Sequence, residues 1–361
     1  MISRVAVNLK HNSYNILIGH DILGKFPQFI RTLGLGRDAV IISHSSLERL
    51  YGIKLSASLK KAGYSVKFFN VPEGESSKSA SCAMRLLEAI SVYDADKKIF
   101  IVALGGGVVG DLAGFVAAIY KRGVPYIQVP TSLLAQIDSS IGGKTAIDLK
   151  TGKNLVGAFY QPKLVVADTG SLKTLDERQR RNGLAEAIKY GVISDAGLFG
   201  YIEANHRKFL QGNSDVLNTI VCRCAKIKAG VVSKDERETL GIRTILNFGH
   251  TVGHAVEAAG GYGRYQHGEA VALGMRVAAR ISVGLRLLSS SQELRINQLI
   301  TSVGLPEKIK GVPLAKILGL MQHDKKFTAG HNRFVLAKKI GQAVVVKDIP
   351  QSLITQAIKA Y

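Results

Sequence analysis

Short apolar runs alternate with helical patterns through the first half of the chain. Residues 5–9 and 14–18 alternate apolar and polar positions and predict a hairpin, and the later runs are apolar enough for buried strands. Helical patterns at 46–62 and 79–92 lie between them. Strands that alternate with helices imply a parallel sheet with crossover connections. The predicted strands are 5–9, 14–18, 38–43, 65–69, 98–104, 124–129 and 164–168.

After residue 170 the pattern changes to the 3.6-residue period of helices. Only 333–337 and 342–346 have the pattern of strands there. A chain of 361 residues exceeds a comfortable single core, so two domains are expected. We predict an α/β domain over 1–170 and a mostly α-helical domain over 171–361. The predicted helices of the second domain are 177–190, 214–233, 244–258, 268–287, 292–303 and 314–321.

Composition excludes a membrane protein and favours a reducing compartment. The chain is 46% hydrophobic and 21% charged, as ordinary globular proteins are. No uninterrupted apolar run reaches the ~18 residues that a membrane helix needs, and the first residues lack the apolar core of a secretion signal. The three cysteines, Cys82, Cys222 and Cys224, are odd in number and sparse. We therefore expect a cytoplasmic location and no membrane partner.

The net charge of +21 would suit either nucleic acid or a small polyanionic substrate. Lysines and arginines are scattered, with no basic run of five and no zinc-finger spacing. This dispersal argues against nucleic-acid binding, and a basic, solvated surface explains the charge.

A glycine-rich turn follows the predicted strand 98–104. Residues 105–110 read GGGVVG and continue into an apolar helical run, which gives the order strand, G-x-G-x-x-G, helix. Glycines there let the backbone approach a pyrophosphate, and a helix N-terminus favours its charge. The acidic residue usual about twenty residues later is missing, because 124–129 is apolar. A tight turn without a ligand therefore remains the alternative.

Two lysines lie on glycine-rich turns that would suit an anion. Lys144 follows Gly142 and Gly143, and Lys153 follows Gly152. A lysine acts as a mobile point charge for phosphate or carboxylate. The GGKT at 142–145 lacks the earlier glycine and the following helix of a Walker motif, so we exclude ATP hydrolysis.

Residues 247–269 contain three of the nine histidines. His250 and His254 are four apart and would share a helical face, while His267 begins the next helical pattern. Glu186 lies in an apolar helical segment with Lys189 three residues on. A glutamate and two histidines from separate elements can form a three-ligand catalytic zinc site. Ordinary core or surface histidines, and a simple Glu186–Lys189 helix pair, remain the alternatives.

The glycine-rich turns, the two lysines and the glutamate and histidine residues occur in an order that resembles the 3-dehydroquinate synthase family. The resemblance extends from about Val71 to Lys326. The resemblance implies a Rossmann-like NAD-binding domain, a helical metal-binding domain, an active site between them and a homodimer. The motifs that carry it are GGGVVGDLAGF (105–115), RGVPYIQVPTSLLAQIDSSIGGKTAID (122–148), GKNLVGAFYQP (152–162), GLAEAIKYG (183–191), DERET (235–239), LNFGHTVGHAVE (246–257) and HGEAVALGM (267–275).

The resemblance also implies roles for matching residues. Zinc or cobalt would be held by Glu186, His250 and His267, which leaves His254 to the substrate. Other substrate and catalytic contacts would be Asp138, Lys144, Asn154, Lys189, Lys228, Arg243, Asn247 and Lys325 or Lys326, with Arg122 reaching the partner subunit's site. NAD would contact Glu73, Gly74, Glu75, Ser76, Ser77, Lys78, Gly107, Val108, Val109, Gly110, Asp111, Thr131, Ser132, Lys144, Lys153, Ser171, Leu172, Lys173 and Thr174.

The implied reaction converts 3-deoxy-D-arabino-heptulosonate 7-phosphate to 3-dehydroquinate and phosphate, a step of the shikimate pathway. The reaction has five steps, all on one molecule that stays bound to the enzyme. They are transient oxidation by NAD, β-elimination of phosphate, reduction, ring opening and an aldol closure. The rival hypotheses are a sibling sugar phosphate cyclase, making 2-deoxy-scyllo-inosose or an epi-valiolone, and an iron-dependent polyol dehydrogenase. A basic nucleic-acid-binding protein is the remote alternative.

Overall fold

A computed structural model describes residues 2–261, 263–322 and 332–361, and the chain divides into two compact units. The first unit comprises Met1–Leu175 and Leu217–Arg237, and the second comprises Asp176–Val216 and Glu238–Tyr361. The predicted limits differ from these for residues 171–175 and 217–237, which had been assigned to the helical domain. The longer of these segments is joined to the first unit by its side chains: Lys228 pairs with Asp138, and Thr169 donates to Asn218 Oδ1 over 2.7 Å.

The first unit contains the predicted parallel sheet. Its seven strands run in the order β1-β2-β9-β6-β5-β3-β4, parallel throughout except for the β1–β2 hairpin. Strands β7 and β8 form a separate antiparallel hairpin that the sequence pattern did not predict. The strands are β1 Ser3–Val7, β2 Tyr14–Gly19, β3 Asp38–Ser43, β4 Ser65–Asn70, β5 Ile99–Gly105, β6 Tyr126–Pro130, β7 Lys144–Leu149, β8 Gly152–Phe159 and β9 Leu164–Asp168.

Helices cover both faces of this sheet, because its central strands are apolar on both sides. Ile42 and Ile101 belong to one core cluster, and Ile41 and Phe100 belong to another. This division follows from the two-residue period of a strand. The helices that contribute residues to the first unit are α1 Phe26–Ile30, α2 Ser45–Leu47, α3 Ile53–Lys61, α4 Ala80–Tyr93, α5 Gly107–Ile119 and, from residue 217 onward, α8 Ser214–Lys234.

The second unit is mostly helical, as predicted, with one antiparallel hairpin. The hairpin pairs β10 Arg333–Lys339 with β11 Gln342–Lys347. Its helices are α6 Glu177–Ser194, α7 Ala196–Leu210, α9 His250–Ala259, α10 His267–Gly284, α11 Ser290–Ser302, α12 Leu314–Gln322 and α13 Gln351–Lys359.

The predicted helix 244–258 is broken in two. A 3-10 turn covers Ile242–Asn247, and α9 begins only at His250. The break lies at Gly249, whose φ of +79° is incompatible with a continuous helix of L residues. His250 is therefore the first residue of its helix rather than an interior one. Among the described residues, none of the helices has the length and apolar character needed to span a membrane.

Candidate active site

Glu186, His250 and His267 meet in the second unit, each from a different helix. One ligand atom from each residue lies within 4.8 Å of the other two. The Nε2 atoms of both histidines lie 3.3 Å from Glu186 Oε1. The ring of His254 is a close neighbour, with its centroid 5.2 Å from that of His250, but His254 is outside the three-residue group. The pair favoured by spacing alone is thus not the pair that faces the carboxylate.

Glu186 is fully buried because α6 runs through the interior of the second unit. Residues 182–193 of this helix are all buried, so the carboxylate has no access to bulk water. Lys189, itself 1% exposed, forms an ion pair with Glu186 Oε2. Burial acts to raise the pKa of Glu186, but the charge of Lys189 and the neighbouring His250 and His267 rings hold it well below its usual range. The carboxylate is therefore ionised.

The donor set fits a divalent metal. Neither Glu186 oxygen accepts a hydrogen bond of normal geometry, although both are buried. Lys189 pairs with Oε2, so Oε1, which faces the two histidines, is the buried oxygen left for a cation. Two imidazole nitrogens and one carboxylate oxygen are the ligand types of catalytic zinc sites, which keep a further position open.

Local backbone geometry orients His250. A Cβ at Gly249 would lie 2.7 Å from Met275 Cγ and 2.8 Å from Val271 O, so the residue before the ligand has to be glycine. His250 Nδ1 lies 3.1 Å from Phe248 O and donates to it, which leaves the Nε2 lone pair for the cluster. Burial lowers the pKa of His250 to about 4, so its ring is neutral.

Close packing of α10 against α6 positions His267. A Cβ at Gly268 would lie 2.2 Å from Asn182 O, so the two helices touch at this glycine. The Asn182 side chain accepts from the backbone N–H of Glu269 over 3.0 Å and donates to Gln266. These contacts connect the start of α10 to the helix that carries Glu186.

His267 lies between two carboxylates. Its Nε2 faces Glu186, and its Nδ1 lies 3.4 Å from Glu257 Oε2. Burial lowers the pKa of His267, but the hydrogen bonds and charges of Glu186 and Glu257 together raise it to about 9. In the absence of a metal the ring is therefore protonated at neutral pH.

The other predicted substrate contacts of the second unit lie on α6, α9 and the turn before α9. Lys189 is beside Glu186, and His254 is one turn after His250 with an exposed ring. Arg243, 3% exposed, and Asn247 lie in the 3-10 turn Ile242–Asn247. The predicted contacts Lys325 and Lys326 lie outside the described residues.

The predicted NAD contacts lie in the first unit, and all but Lys144 and Lys153, which are on the β7–β8 hairpin, follow four strands of the parallel sheet. Residues 73–78 follow β4, 107–111 follow β5, 131 and 132 follow β6, and 171–174 follow β9. Because these strands are parallel, the four loops share the carboxyl edge of the sheet, which is where ligands bind in open α/β sheets.

The glycine turn has the predicted strand, loop and helix arrangement. Strand β5 ends at Gly105 and α5 begins at Gly107. A Cβ at Gly105 would lie 2.6 Å from Val109 Cβ, so a side chain there would collide with the first turn of α5. The helix N-terminus, with its unpaired N–H groups, therefore directly follows the strand, as anion binding requires.

Lys78 connects two of these predicted contact groups. Its Nζ lies 2.6 Å from Asp111 Oδ2 and also donates to Asn154 Oδ1. Burial raises the pKa of Asp111, and Lys78 opposes that rise. Asn154 has a left-handed φ of +57°. The structure thus brings a predicted substrate residue, Asn154, against predicted NAD residues.

Two further cationic groups of the first unit have acidic neighbours. Lys228 donates to Asp138 O over 2.8 Å and forms an ion pair with the Asp138 carboxylate. Lys153 Nζ lies 3.6 Å from Glu75 Oε1. Lys144 is exposed at the start of β7.

Arg122 lies elsewhere in the first unit. It ends the 3-10 turn Tyr120–Arg122, between α5 and β6, and its φ is +64°. This turn leads into the amino end of β6, so Arg122 is at the opposite edge of the sheet from the four loops.

Two residues beside the cluster were not assigned from the sequence. Glu257 lies seven residues after His250, a spacing that returns to the same helical face and could have identified it. Asn182 had no local signal, because its contact with the Glu269 backbone joins residues 87 apart in the chain.

The chain is similar to known proteins over most of its length. The family model "3-dehydroquinate synthase N-terminal" matches residues 68–182, and "3-dehydroquinate synthase C-terminal" matches 183–327. The 3-dehydroquinate synthase of Desulforamulus reducens is 46% identical over 96% of this chain and 97% of its own length.

Two solved structures of sugar phosphate cyclases are similar over nearly the whole chain. The 2-epi-5-epi-valiolone synthase of Streptomyces hygroscopicus, solved with NAD+ and Zn2+, has a TM-score of 0.88 and 26% identity, covering 98% of each chain. A 2-deoxy-scyllo-inosose synthase complexed with carbaglucose-6-phosphate, NAD+ and Co2+ has a TM-score of 0.88 and 27% identity, covering 99% of this chain and 100% of its own.

Proposed function

The chain belongs to the 3-dehydroquinate synthase family, and we propose that it converts 3-deoxy-D-arabino-heptulosonate 7-phosphate to 3-dehydroquinate and phosphate. The observation that carries the proposal is the group of Glu186, His250 and His267, whose ligand atoms lie within 4.8 Å of one another around a fully buried carboxylate. The loops at the carboxyl edge of the sheet in the first unit, where most of the predicted NAD contacts lie, support the same proposal independently. The enzyme is thus a phosphate-eliminating cyclase.

Two groups would complete the site. When bound, NAD would accept the hydride from carbon C4, whose hydroxyl loses its proton to leave a ketone, and would later return that hydride; a zinc or cobalt ion would act as a Lewis acid on vicinal hydroxyls. In the second unit Glu186 Oε1 and the Nε2 atoms of His250 and His267 would hold the metal. In the first unit the N-terminus of α5 would bind the pyrophosphate.

The side chains would bind an anion and position its reacting atoms. The substrate carries a phosphate and a carboxylate, and Lys144, Lys228 and Arg243 would supply positive charge to them. Asn154 and Asn247 would donate to its oxygens. The exposed ring of His254 would hold or move a proton beside the two metal-binding histidines.

Phosphate release from two substrates tests this function. Purified protein with NAD and Zn2+ or Co2+ should release inorganic phosphate from the heptulosonate phosphate, and a chelator should stop the release. Glucose 6-phosphate should give none. Release from glucose 6-phosphate alone would instead identify a sibling cyclase, and submicromolar, salt-sensitive binding to random duplex DNA would favour the nucleic-acid alternative.

We also propose that the protein is a homodimer in which Arg122 acts in the partner's site. The hairpin β7–β8 exposes Leu149, Leu155, Val156 and Phe159, an unusual number of apolar side chains for one hairpin. The Arg122 turn is beside this hairpin, because a Cβ at Gly123 would lie 3.1 Å from the hydroxyl of Tyr160, the residue after β8. Both features suit a second copy of the chain.

Complementation between two inactive variants tests the shared site. Arg122→Ala and Lys189→Ala should each be inactive alone. Mixed, unfolded and refolded together, they should regain about a quarter of the wild-type activity, because half of the dimers would carry one complete site. No recovery despite dimers by light scattering would place Arg122 outside the partner's site.

We propose a cytoplasmic location as well. The three cysteines are free in the structure, two of them buried, which suits a reducing compartment. Cell fractionation tests this location directly, and recovery of the protein with a secreted or membrane fraction would contradict it.

A further inference from the structure

Glu257 is a buried carboxylate that the proposed reaction leaves without a role. It lies near the end of α9, 9% exposed, seven residues after His250. Its Oε2 is 3.4 Å from His267 Nδ1, while Nε2 of the same ring is 3.3 Å from Glu186 Oε1. The imidazole is thus held between two carboxylates, one at each nitrogen.

We propose that Glu257 is a positioning residue that fixes the tautomer and orientation of His267 as a metal ligand. Accepting the Nδ1 proton leaves the lone pair on Nε2, the nitrogen that faces Glu186. A carboxylate acceptor also makes the imidazole a stronger donor to the metal. This inference rests on the proposed function, because it requires that the Glu186, His250 and His267 group binds a metal.

The two ligand histidines differ in a way that makes Glu257 important. His250 donates to the Phe248 carbonyl, and only 10% of its side chain is exposed. His267 keeps 32% of its side chain exposed, so packing constrains its ring less. The Glu257 hydrogen bond therefore supplies to His267 the orientation that burial and the Phe248 hydrogen bond supply to His250.

The geometry separates this role from direct coordination. Glu257 Oε2 contacts Nδ1, whereas the ligand atoms face the other nitrogen of the ring. Glu257 is also outside the group whose ligand atoms lie within 4.8 Å of one another. A fourth ligand would have to approach the cluster from the Nε2 side.

The test is a metal titration of chelated protein, followed by the visible spectrum of bound Co2+. Wild type, Glu257→Gln and Glu257→Asp are titrated with Co2+ alone and with Zn2+ in competition with a chromophoric chelator. Glu257→Gln should weaken both affinities about 10- to 100-fold. Its Co2+ bands should shift but keep their intensity, because the number of ligands is unchanged. Glu257→Asp keeps the charge on a shorter side chain, so its metal affinities should lie between those of wild type and Glu257→Gln.

Glu293→Gln is the matched control. Glu293 is also a buried glutamate of the second unit, 5% exposed, and its partners are Arg280 and Tyr361 rather than a histidine. This control should bind metal like wild type, and thermal unfolding of all metal-free variants checks that they are folded.

Each other result overturns the inference. Affinities of Glu257→Gln within threefold of wild type would show that His267 needs no such partner. A change in the intensity of the Co2+ bands would indicate that Glu257 is itself a ligand. An equal loss of metal affinity in Glu293→Gln would indicate a general structural effect. If Glu257→Gln does not fold, the Asp variant decides by the same criteria. Wild type that binds no metal would refute the proposed function itself, and this inference with it.

Discussion

Lys189 and Glu186 form a buried ion pair on one helix, and each is at most 1% exposed. A buried pair contributes little net stability, but removing one member leaves the other charge in a medium that solvates it poorly. A divalent metal at the cluster would add two positive charges beside Lys189. The single negative charge of Glu186 therefore balances Lys189 in the metal-free protein and would also balance part of the charge of a bound metal.

The substitution Glu186→Gln separates metal binding from NAD binding. We expect it to abolish turnover and to leave NAD affinity largely intact, because the predicted NAD contacts lie in the first unit. In chelated protein, urea unfolding should show a loss of about 3–5 kcal/mol, since Lys189 loses its charge partner. Glu177→Gln, on the exposed first turn of the same helix, is the control and should change neither quantity. Near-wild-type turnover of Glu186→Gln would remove Glu186 from the metal site.

Metal binding should release protons, with a defined dependence on pH. In the metal-free protein the pKa of His267 is raised to about 9, so the ring is protonated at pH 7, whereas His250, with a pKa of about 4, is neutral. A metal must displace that proton, so apparent affinity should fall about tenfold per pH unit below 9. Calorimetry in buffers of different ionisation enthalpy should show about one proton released per metal at pH 7. An observed enthalpy that is independent of the buffer would contradict this.

The same raised pKa affects the stability of the metal-free protein. Because the folded-state value is above the unfolded one, protonated His267 stabilises the fold fully below pH ~6.5. This contribution is lost as the pH rises through about 9. Chelated protein should therefore unfold at lower urea concentration at pH 9.5 than at pH 7.

Residue types and motifs in the sequence indicated Glu186, His250 and His267, but spacing alone favoured His250 with His254. Helical spacing places two side chains on one face without saying which neighbour they meet. The left-handed Gly249 makes His250 the start of α9, and the glycine at 268 brings His267 against α6. Both are tertiary effects that a local pattern does not contain.

At the scale of elements, glycines hold α9 and α10 close together. A Cβ at Gly274 would lie 1.8 Å from Gly249 O, and one at Gly253 would lie 2.9 Å from Ala270 O. Backbone thus contacts backbone where these helices cross. The distance between His250 and His267, with ring centroids 5.5 Å apart, depends on this contact.

Gly274→Ala should therefore push the two helices apart. We expect a loss of about 1–3 kcal/mol in the free energy of unfolding, the usual cost of overpacking, together with weaker Zn2+ binding. Gly230→Ala is the matched control, because Gly230 lies in helix α8 with nothing within 4 Å of the added Cβ. That variant should instead gain about 0.5–1 kcal/mol from helix propensity. Equal effects in the two variants would show that the α9–α10 contact is not critical.

The buried strands were the elements best predicted from the sequence, because a short, continuous apolar run bounded by turn residues is typical of a strand covered on both faces. The hairpin β7–β8 was missed because β8 is largely exposed and contains two glycines, while β7 is short and begins at an exposed lysine. Helices α7 and α13 were also missed. Only Asp195 separates α6 from α7. Its side chain caps α7 by accepting from the Leu198 N–H over 2.9 Å, but the sequence pattern did not indicate that a second helix begins there.

In the molecule as a whole, the residues predicted to bind NAD and those predicted to bind metal lie in different units. The first carries the loops predicted to bind NAD, and the second carries the group predicted to bind metal. The family resemblance predicted this division from motifs spread over most of the chain. Sequence could not predict that residues 217–237, with Lys228, group with the first unit, because that depends on long-range pairs such as Lys228 with Asp138.

In the proposed reaction NAD is a carrier that is not consumed, while phosphate leaves. The direct measurement starts from chelated protein, to which the heptulosonate phosphate and NAD are added first and Zn2+ or Co2+ afterwards. Phosphate, 3-dehydroquinate and NADH are followed together throughout. We predict no reaction before the metal is added, then phosphate and 3-dehydroquinate in equal amounts over many turnovers, with no accumulation of NADH. Steady accumulation of NADH without phosphate would identify a polyol dehydrogenase and contradict the account.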